Sequence, residues 1–256
     1  MTTMPLPPVT LISGWGAPVS MIAPWVEGLS DDIRYISLDD ELLAQSRTAD
    51  DAATRILERT EAPRLFIGWS LGGQIAASAA EQMPDKVRGL VTVCSTPSFI
   101  ERPEWPVGMA SPEFEYFRSG LERACLKQWK RFMLLQVRGS DQTGSSEKKL
   151  NHETDDRRAL QRWLEAGPGV SERNLARSLD WLGQLDQREL WRRLDVPAIH
   201  LFAGRDRLVN PDTASILRTQ NLDCRLLKAV PHWPHGEAAD SIARLLTEFV
   251  DERAGV

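Results

Sequence analysis

Cysteine is scarce in this chain: Cys94, Cys125 and Cys224 are odd in number and far apart, so they build no disulfide framework and no C-x-x-C metal pair. They read as reduced residues of core or surface. Nor does any apolar stretch approach the roughly 20 residues needed to cross a bilayer, which excludes a helical membrane span. The segment from Met1 to Pro8 lacks the basic head and long apolar run of a secretory signal, so a cytoplasmic protein is expected. A positive excess is missing too. The net charge of −5 speaks against nucleic-acid binding by the molecule as a whole. Internal repeats and low-complexity tracts are absent.

What is present fits one α/β domain of 256 residues with 42% hydrophobic and 26% charged content. Short β-branched runs alternate with amphipathic helical patterns, the signature of parallel βαβ units. The strands predicted are Val9–Ile12, Ile33–Leu38, Leu65–Gly68, Gly89–Cys94, Ala198–Ala203 and Arg225–Val230. Helices are predicted at Asp50–Arg59, Pro211–Arg218 and Ala239–Val250. A run such as Leu90-Val-Thr-Val93 suits a sheet covered by helices on both faces. From Ser98 to Leu194 the alternation stops. Helices are predicted there at Glu113–Arg138, Asp155–Glu165 and Ser171–Leu185, with residues 139–146 as a loop. The expected organisation is therefore a core of residues 1–97 and 195–256, with 98–194 as a helical lid over the strand ends, where ligands of such sheets bind.

The strongest chemical signal is Gly68-Trp69-Ser70-Leu71-Gly72, preceded by a strand and followed by a helix rich in alanine. A serine on a sharp strand-to-helix turn is held with its hydroxyl exposed, and glycines two positions away remove side chains that would clash. This is the nucleophile turn of an α/β-hydrolase fold, and Ser70 is the predicted nucleophile. The fold often opens with an antiparallel pair of strands, for which no early hairpin is present here.

A serine hydroxyl needs a base, and the base an orienting acid. In this fold the acid precedes the histidine along the chain. Asp206, just after the strand Ala198–Ala203, is favoured over Asp212, expected in the first turn of a helix, and over Asp195, at the wrong strand end. Among the four histidines, His200 reads as a core residue and His152 lies in the helical insertion. His232 and His235 both follow the last strand. His232 stands nearer the strand end and is preferred as the base, with His235 as a pocket or helix-entry residue. Neither has a partner at metal-ligand spacing. Two backbone N–H groups should receive the oxyanion of the tetrahedral intermediate. They are expected from Leu71, the residue after the nucleophile, and from Trp15 in Ser13-Gly14-Trp15-Gly16, whose ring would wall the pocket.

Beyond these patterns, Gly14-Trp15-Gly16, Gly68-Trp-Ser-Leu-Gly-Gly73, Leu90-Val-Thr-Val-Cys-Ser-Thr-Pro-Ser-Phe99, Glu104-Trp-Pro106 and Arg131-Phe132 resemble the pimeloyl-acyl-carrier protein methyl ester esterases of biotin synthesis. The similarity runs from about Val9 to the C-terminus. It implies hydrolysis of the terminal methyl ester of a pimeloyl chain on acyl-carrier protein. The serine mechanism needs no metal or cofactor, and a monomer is expected. Ser70, Asp206 and His232 fall on that family's triad positions, and Trp15 and Leu71 on its oxyanion positions. Trp69 and Phe132 fall on its acyl pocket. Lys127, Arg131 and Arg158 fall on basic lid positions. Trp105 and Met133 are further candidates to grip the chain. Two departures stand out: Ser13 replaces the usual histidine before Gly-Trp-Gly, and Leu38-Asp-Asp-Glu-Leu42 lacks the usual Pro-Gly-x-Gly turn.

Residues 118–165 hold eleven Lys and Arg, among them Arg138, Lys148 and Lys149, against seven acids, a net of +4 beside −9 for the rest. A basic lid on an acidic body would steer an acidic carrier protein and its phosphopantetheine phosphate.

Overall fold

A computed structural model describes residues 7–137 and 157–254. Six parallel strands form one sheet in the order β2-β1-β3-β4-β5-β6. They are β1 (Val9–Ile12), β2 (Ile33–Ile36), β3 (Arg64–Trp69), β4 (Val87–Val93), β5 (Ala198–Ala203) and β6 (Cys224–Leu227). β3 is buried along its whole length, as a strand covered on both faces must be. Its first residue, Arg64, is buried and ion-paired with Asp32 at 2.8 Å, and also donates to Val9 O and Thr10 Oγ1. The amino-terminal edge of the sheet is thus closed by structural bonds. The opposite edge collects the turns that follow the strands.

The helices are α1 (Asp40–Gln45), α2 (Ala49–Glu58), α3 (Leu71–Gln82), α4 (Ser111–Arg123), α5 (Cys125–Val137), α6 (residues 157–166), α7 (Glu172–Gln184), α8 (Arg188–Arg192), α9 (Thr213–Thr219) and α10 (Glu237–Phe249). Among the described residues no named strand stands between β4 and β5; that stretch carries α4 to α8, with isolated bridges only at Ile100–Met109 and Arg102–Trp105. No described helix is long and apolar enough to cross a membrane.

Several expected boundaries shift for local reasons. The strand expected to reach Leu38 stops at Ile36, because Leu38 N donates to Ser13 Oγ rather than to a neighbouring strand. The strand expected at Arg225–Val230 ends at Leu227, where Val230 N turns back onto Leu227 O. β4 stops before Cys94, whose φ of 49° takes the chain out of the sheet. The single helix expected over Glu113–Arg138 is two. Ala124 leaves helical geometry at φ −155°, and Gly120 makes room for the Gln128 side chain as α5 folds back on α4. Residues 139–146, His152, Asp155 and the basic residues Arg138, Lys148 and Lys149 lie outside the described residues.

Both departures noted in the sequence acquire a structure. The Ser13 hydroxyl is buried and supports the turn after β2. The segment at Leu38–Leu42 starts α1: Asp39 caps it by accepting from Leu42 N at 3.0 Å.

Candidate active site

Ser70 stands between β3 and α3 with φ 54° and ψ −122°, a strained conformation for a non-glycine residue that costs about 1–3 kcal/mol. The surroundings over-determine it. Ser70 N donates to Val93 O at 2.9 Å, and Ser70 O accepts from Gly73 N at 2.9 Å and from the Ser95 hydroxyl at 2.5 Å. The glycines around it are sterically obligatory. A Cβ on Gly68 would strike the backbone of Gly72, and one on Gly72 would come within 2.5 Å of Ile12 O and also meet Ser13 O. Gly14 passes so close that its Cβ would be 3.1 Å from Ser70 Cβ. The turn after β1 is thereby set beside Ser70.

Asp206 lies in the turn after β5 and His232 in the turn after β6; both are buried. His232 Nδ1 and Asp206 Oδ2 are 2.7 Å apart. Oδ1 of the same carboxylate accepts from Leu208 N at 2.7 Å and Val209 N at 2.9 Å, so the acid is held from both sides. Gly204 N donates to Leu227 O and Arg205 N to Val230 O, both at 2.9 Å. A Cβ on Gly204 would lie 2.5 Å from Lys228 O, so only glycine allows these two turns to approach. His232 Nε2 has no hydrogen-bond partner among the described residues. No bond joins it to Ser70 Oγ in this conformation.

The rivals are placed elsewhere. His200 is buried in β5, 2.9 Å from Thr92 Oγ1 and stacked on Trp191 at 4.2 Å, and burial lowers its pKa to about 3. His235 Nδ1 lies 2.9 Å from Trp233 O and the ring stacks on Trp233. Asp212 sits at the start of α9, although its side chain makes no cap bond. Cys94, by contrast, carries no role in the sequence reading, yet its sulfur shares a 4.8 Å cluster with ligand atoms of Asp206 and His232. Burial, and then the Asp206 charge, push its thiol well above the usual range. A metal there would need that proton removed, which the same burial opposes. The arrangement fits an acid–base pair better than a metal centre.

Of the expected pocket residues, Trp69, Trp105 and Met133 are fully buried. Indoles here serve the backbone. Trp69 Nε1 donates to His232 O and Trp25 Nε1 to Pro234 O, both at 2.9 Å, while Trp233 Nε1 donates to Met21 O at 3.0 Å. These three bonds pin the histidine turn. Trp105 Nε1 donates to Ser98 O. Trp15 is also buried, with its ring edge-on to Phe132 at 4.7 Å. Phe132 and Arg131 line a small, partly open apolar cavity of about 50 Å³ between α4, α5 and α7. Leu208, two residues beyond Asp206, lines it as well. Lys127 and Arg131 on α5 and Arg158 on α6 are exposed, and the Arg131 guanidinium lies 5.9 Å from the Tyr116 ring centre. Trp129, Trp25 and Ser95 escape sequence reasoning because a single Trp or Ser in an apolar context carries no sign of which carbonyl it will meet.

Comparison with known proteins gives a consistent picture. The protein-family model described as alpha/beta hydrolase family matches residues 11–245. The chain is 31% identical to a pimeloyl-acyl-carrier protein methyl ester esterase of Methylococcus capsulatus, over 95% of this chain and 94% of that one. It is 31% identical to a protein of the same name in Nitrosomonas europaea, over 90% and 88%. Among solved structures, a hydrolase from Oleispira antarctica superposes with TM-score 0.74 at 16% identity, covering 96% of this chain and 91% of that chain. A bromoperoxidase from Bacillus anthracis gives TM-score 0.73 at 18% identity over 96% and 92%. At such identities these two speak for the fold alone.

Proposed function

Because the chain belongs to the alpha/beta hydrolase family and is a carboxylic ester hydrolase, we propose that it cleaves the methyl ester of a pimeloyl chain carried on acyl-carrier protein, with Ser70, His232 and Asp206 as its triad. The observation that carries the triad is the 2.7 Å bond between His232 Nδ1 and a carboxylate already fixed by two backbone N–H groups, at the strand edge where the strained Ser70 turn also stands. That bond leaves the lone pair of the neutral imidazole on Nε2. Rotation of the Ser70 side chain completes the link, as catalytic hydrogen bonds often tighten only with substrate bound.

His232 accepts the Ser70 proton as Oγ attacks the ester carbonyl, and the backbone N–H groups of Trp15 and Leu71 receive the oxyanion. His232 passes the proton to the departing methoxide, which leaves as methanol. Water, deprotonated by the same nitrogen, then releases the acyl chain as a free carboxylate and restores Ser70. Asp206 stays ionised and holds the imidazole tautomer. Residues 98–194 act as the lid on the core of 1–97 and 195–256. The cavity beside Phe132 takes part of the methylene chain, and Lys127, Arg131 and Arg158 attract the acidic carrier. The likeness in name of relatives that the chain matches nearly end to end supports the substrate, and the three unpaired cysteines suit the reducing cytoplasm.

Methanol release from a pimeloyl-carrier methyl ester tests this. Wild-type protein should release it and Ser70→Ala should not. Full turnover by Ser70→Ala would refute the mechanism, and hydrolysis of short soluble esters alone would refute the substrate.

A further inference from the structure

The turn from Gly14 to Gly16 has no α-helix of its own to hold it, and the neighbouring Ser13 hydroxyl accepts from Leu38 N on the turn after β2. Its support comes from the helical stretch above. Trp129 on α5 donates its indole N–H to Gly16 O at 2.7 Å, and Trp15 donates its own to Leu175 O on α7 at 3.0 Å. Both tryptophans are buried, 0% and 1% exposed, so neither bond competes with water. Gly16, at φ 60°, is fitted against the Trp129 ring: a Cβ there would lie 2.9 Å from Trp129 Cδ1 and Nε1. The Trp15 ring also packs edge-on against Phe117 at 5.9 Å and Phe132 at 4.7 Å, and those two rings touch each other at 5.7 Å.

The acceptor on α7 is itself anchored to the core. Asp40 at the start of α1 accepts from Ser171 N at 2.9 Å, Ser171 Oγ at 2.7 Å and Asn174 Nδ2 at 2.6 Å. Arg177 donates to Leu43 O at 2.8 Å and Trp181 to Arg47 O at 3.0 Å. The helix begun at Asp40 thus holds α7, and α7 holds Trp15.

We propose that Trp129 is a positioning residue for ester hydrolysis: its indole N–H, together with the Trp15–Leu175 bond, fixes the turn whose Trp15 backbone N–H receives the oxyanion. The proposal rests on the esterase reading above. It makes α5 and α7 part of the catalytic geometry as well as a cover for the acyl chain. A donor that must meet the developing charge within a few tenths of an ångström loses much of its value when its turn is free to move.

The test uses the full-length protein and a short ester, p-nitrophenyl acetate, which needs neither the acyl cavity nor a carrier. Trp129→Phe keeps an aromatic ring and removes the donor. It should lower kcat about 10- to 100-fold per Ser70 titrated with a fluorophosphonate, with KM within about 3-fold. Affinity for a boronic acid, which places a tetrahedral oxygen in the same hole, should fall by a similar factor. Should Trp129→Phe not fold, benzothienylalanine at position 129 keeps the shape of the indole without its N–H and should show the same loss. Unchanged kcat and boronate affinity in a folded variant lacking the donor would overturn the proposal. So would a loss confined to KM. Failure of the esterase reading is separately visible as wild-type protein that Ser70-directed fluorophosphonate does not label.

Discussion

For the proposed triad, replacing Asp206 by asparagine isolates what its carboxylate does. The carboxylate has two jobs in two directions: Oδ1 accepts from Leu208 N and Val209 N, and Oδ2 faces His232 Nδ1 at 2.7 Å. An asparagine side chain at this position can satisfy only one of them as before. Its carbonyl oxygen must keep the two backbone donors, because turning the NH2 group toward them would bury two donor-to-donor contacts. The NH2 then points at His232 Nδ1, which can accept its proton only as the bare nitrogen. The ring proton moves to Nε2, and the lone pair that should take the Ser70 proton disappears. Loss of the right tautomer in a triad of this geometry costs about 10⁴-fold in kcat, or about 5.5 kcal/mol of transition-state stabilisation. KM should stay within about 3-fold, and the thermal midpoint should barely move, since the backbone bonds persist. Asp206→Ala should behave differently, losing activity and also stability, because two buried N–H groups are left unpaired at about 1–3 kcal/mol each. Steady-state kinetics with a thermal melt of both variants checks this. A kcat for Asp206→Asn within tenfold of wild type would show that the Asp206–His232 bond is structural only.

Two further outcomes follow from the same geometry. His200, with a pKa lowered to about 3 by burial, stays neutral in the fold while the unfolded chain binds a proton below about 6.5. Between those values the unfolded state holds more protons, so acidification destabilises the fold by up to about 1.4 kcal/mol per pH unit at this site. His200→Gln should flatten the change in urea midpoint between pH 6.5 and 5; equal slopes in both proteins would contradict the assignment. Gly72→Ala should lower stability by about 1–3 kcal/mol or prevent folding, since the added methyl meets Ile12 O and Ser13 O, which are backbone and cannot rotate away. A melt within 1 °C of wild type would mean that β1 and α3 are less closely packed than they stand here.

How much can be read in advance differs by element. The bounds of β1 and β5 are legible because largely apolar buried runs end abruptly in Ser13-Gly14 and Gly204. Ser70 is recognisable because strand, glycine-flanked serine and small-residue helix are contiguous. Asp206 and His232 can be ranked by chain order after the strands. The break at Ala124 is not readable, since the helical pattern continues through it and only the fold-back of α5 onto α4 interrupts it. α1 is missed for a related reason. It is six residues long, and beyond its Asp39 cap it is held by Ser171, Asn174 and Arg177, more than a hundred residues away.

The tryptophans mark the limit most clearly. From the order of residues alone came the parallel sheet, the serine on its turn, and the choice of Asp206 and His232 over their rivals, because each depends on neighbours within about ten positions. Which carbonyl each indole reaches was decided by tertiary packing: Trp129 finds Gly16 across 113 residues, and Trp69 finds His232 across 163. A hydrogen bond needs its two atoms within about 3 Å. Chain order says nothing about that distance until the sheet and the helices above it have closed around the site.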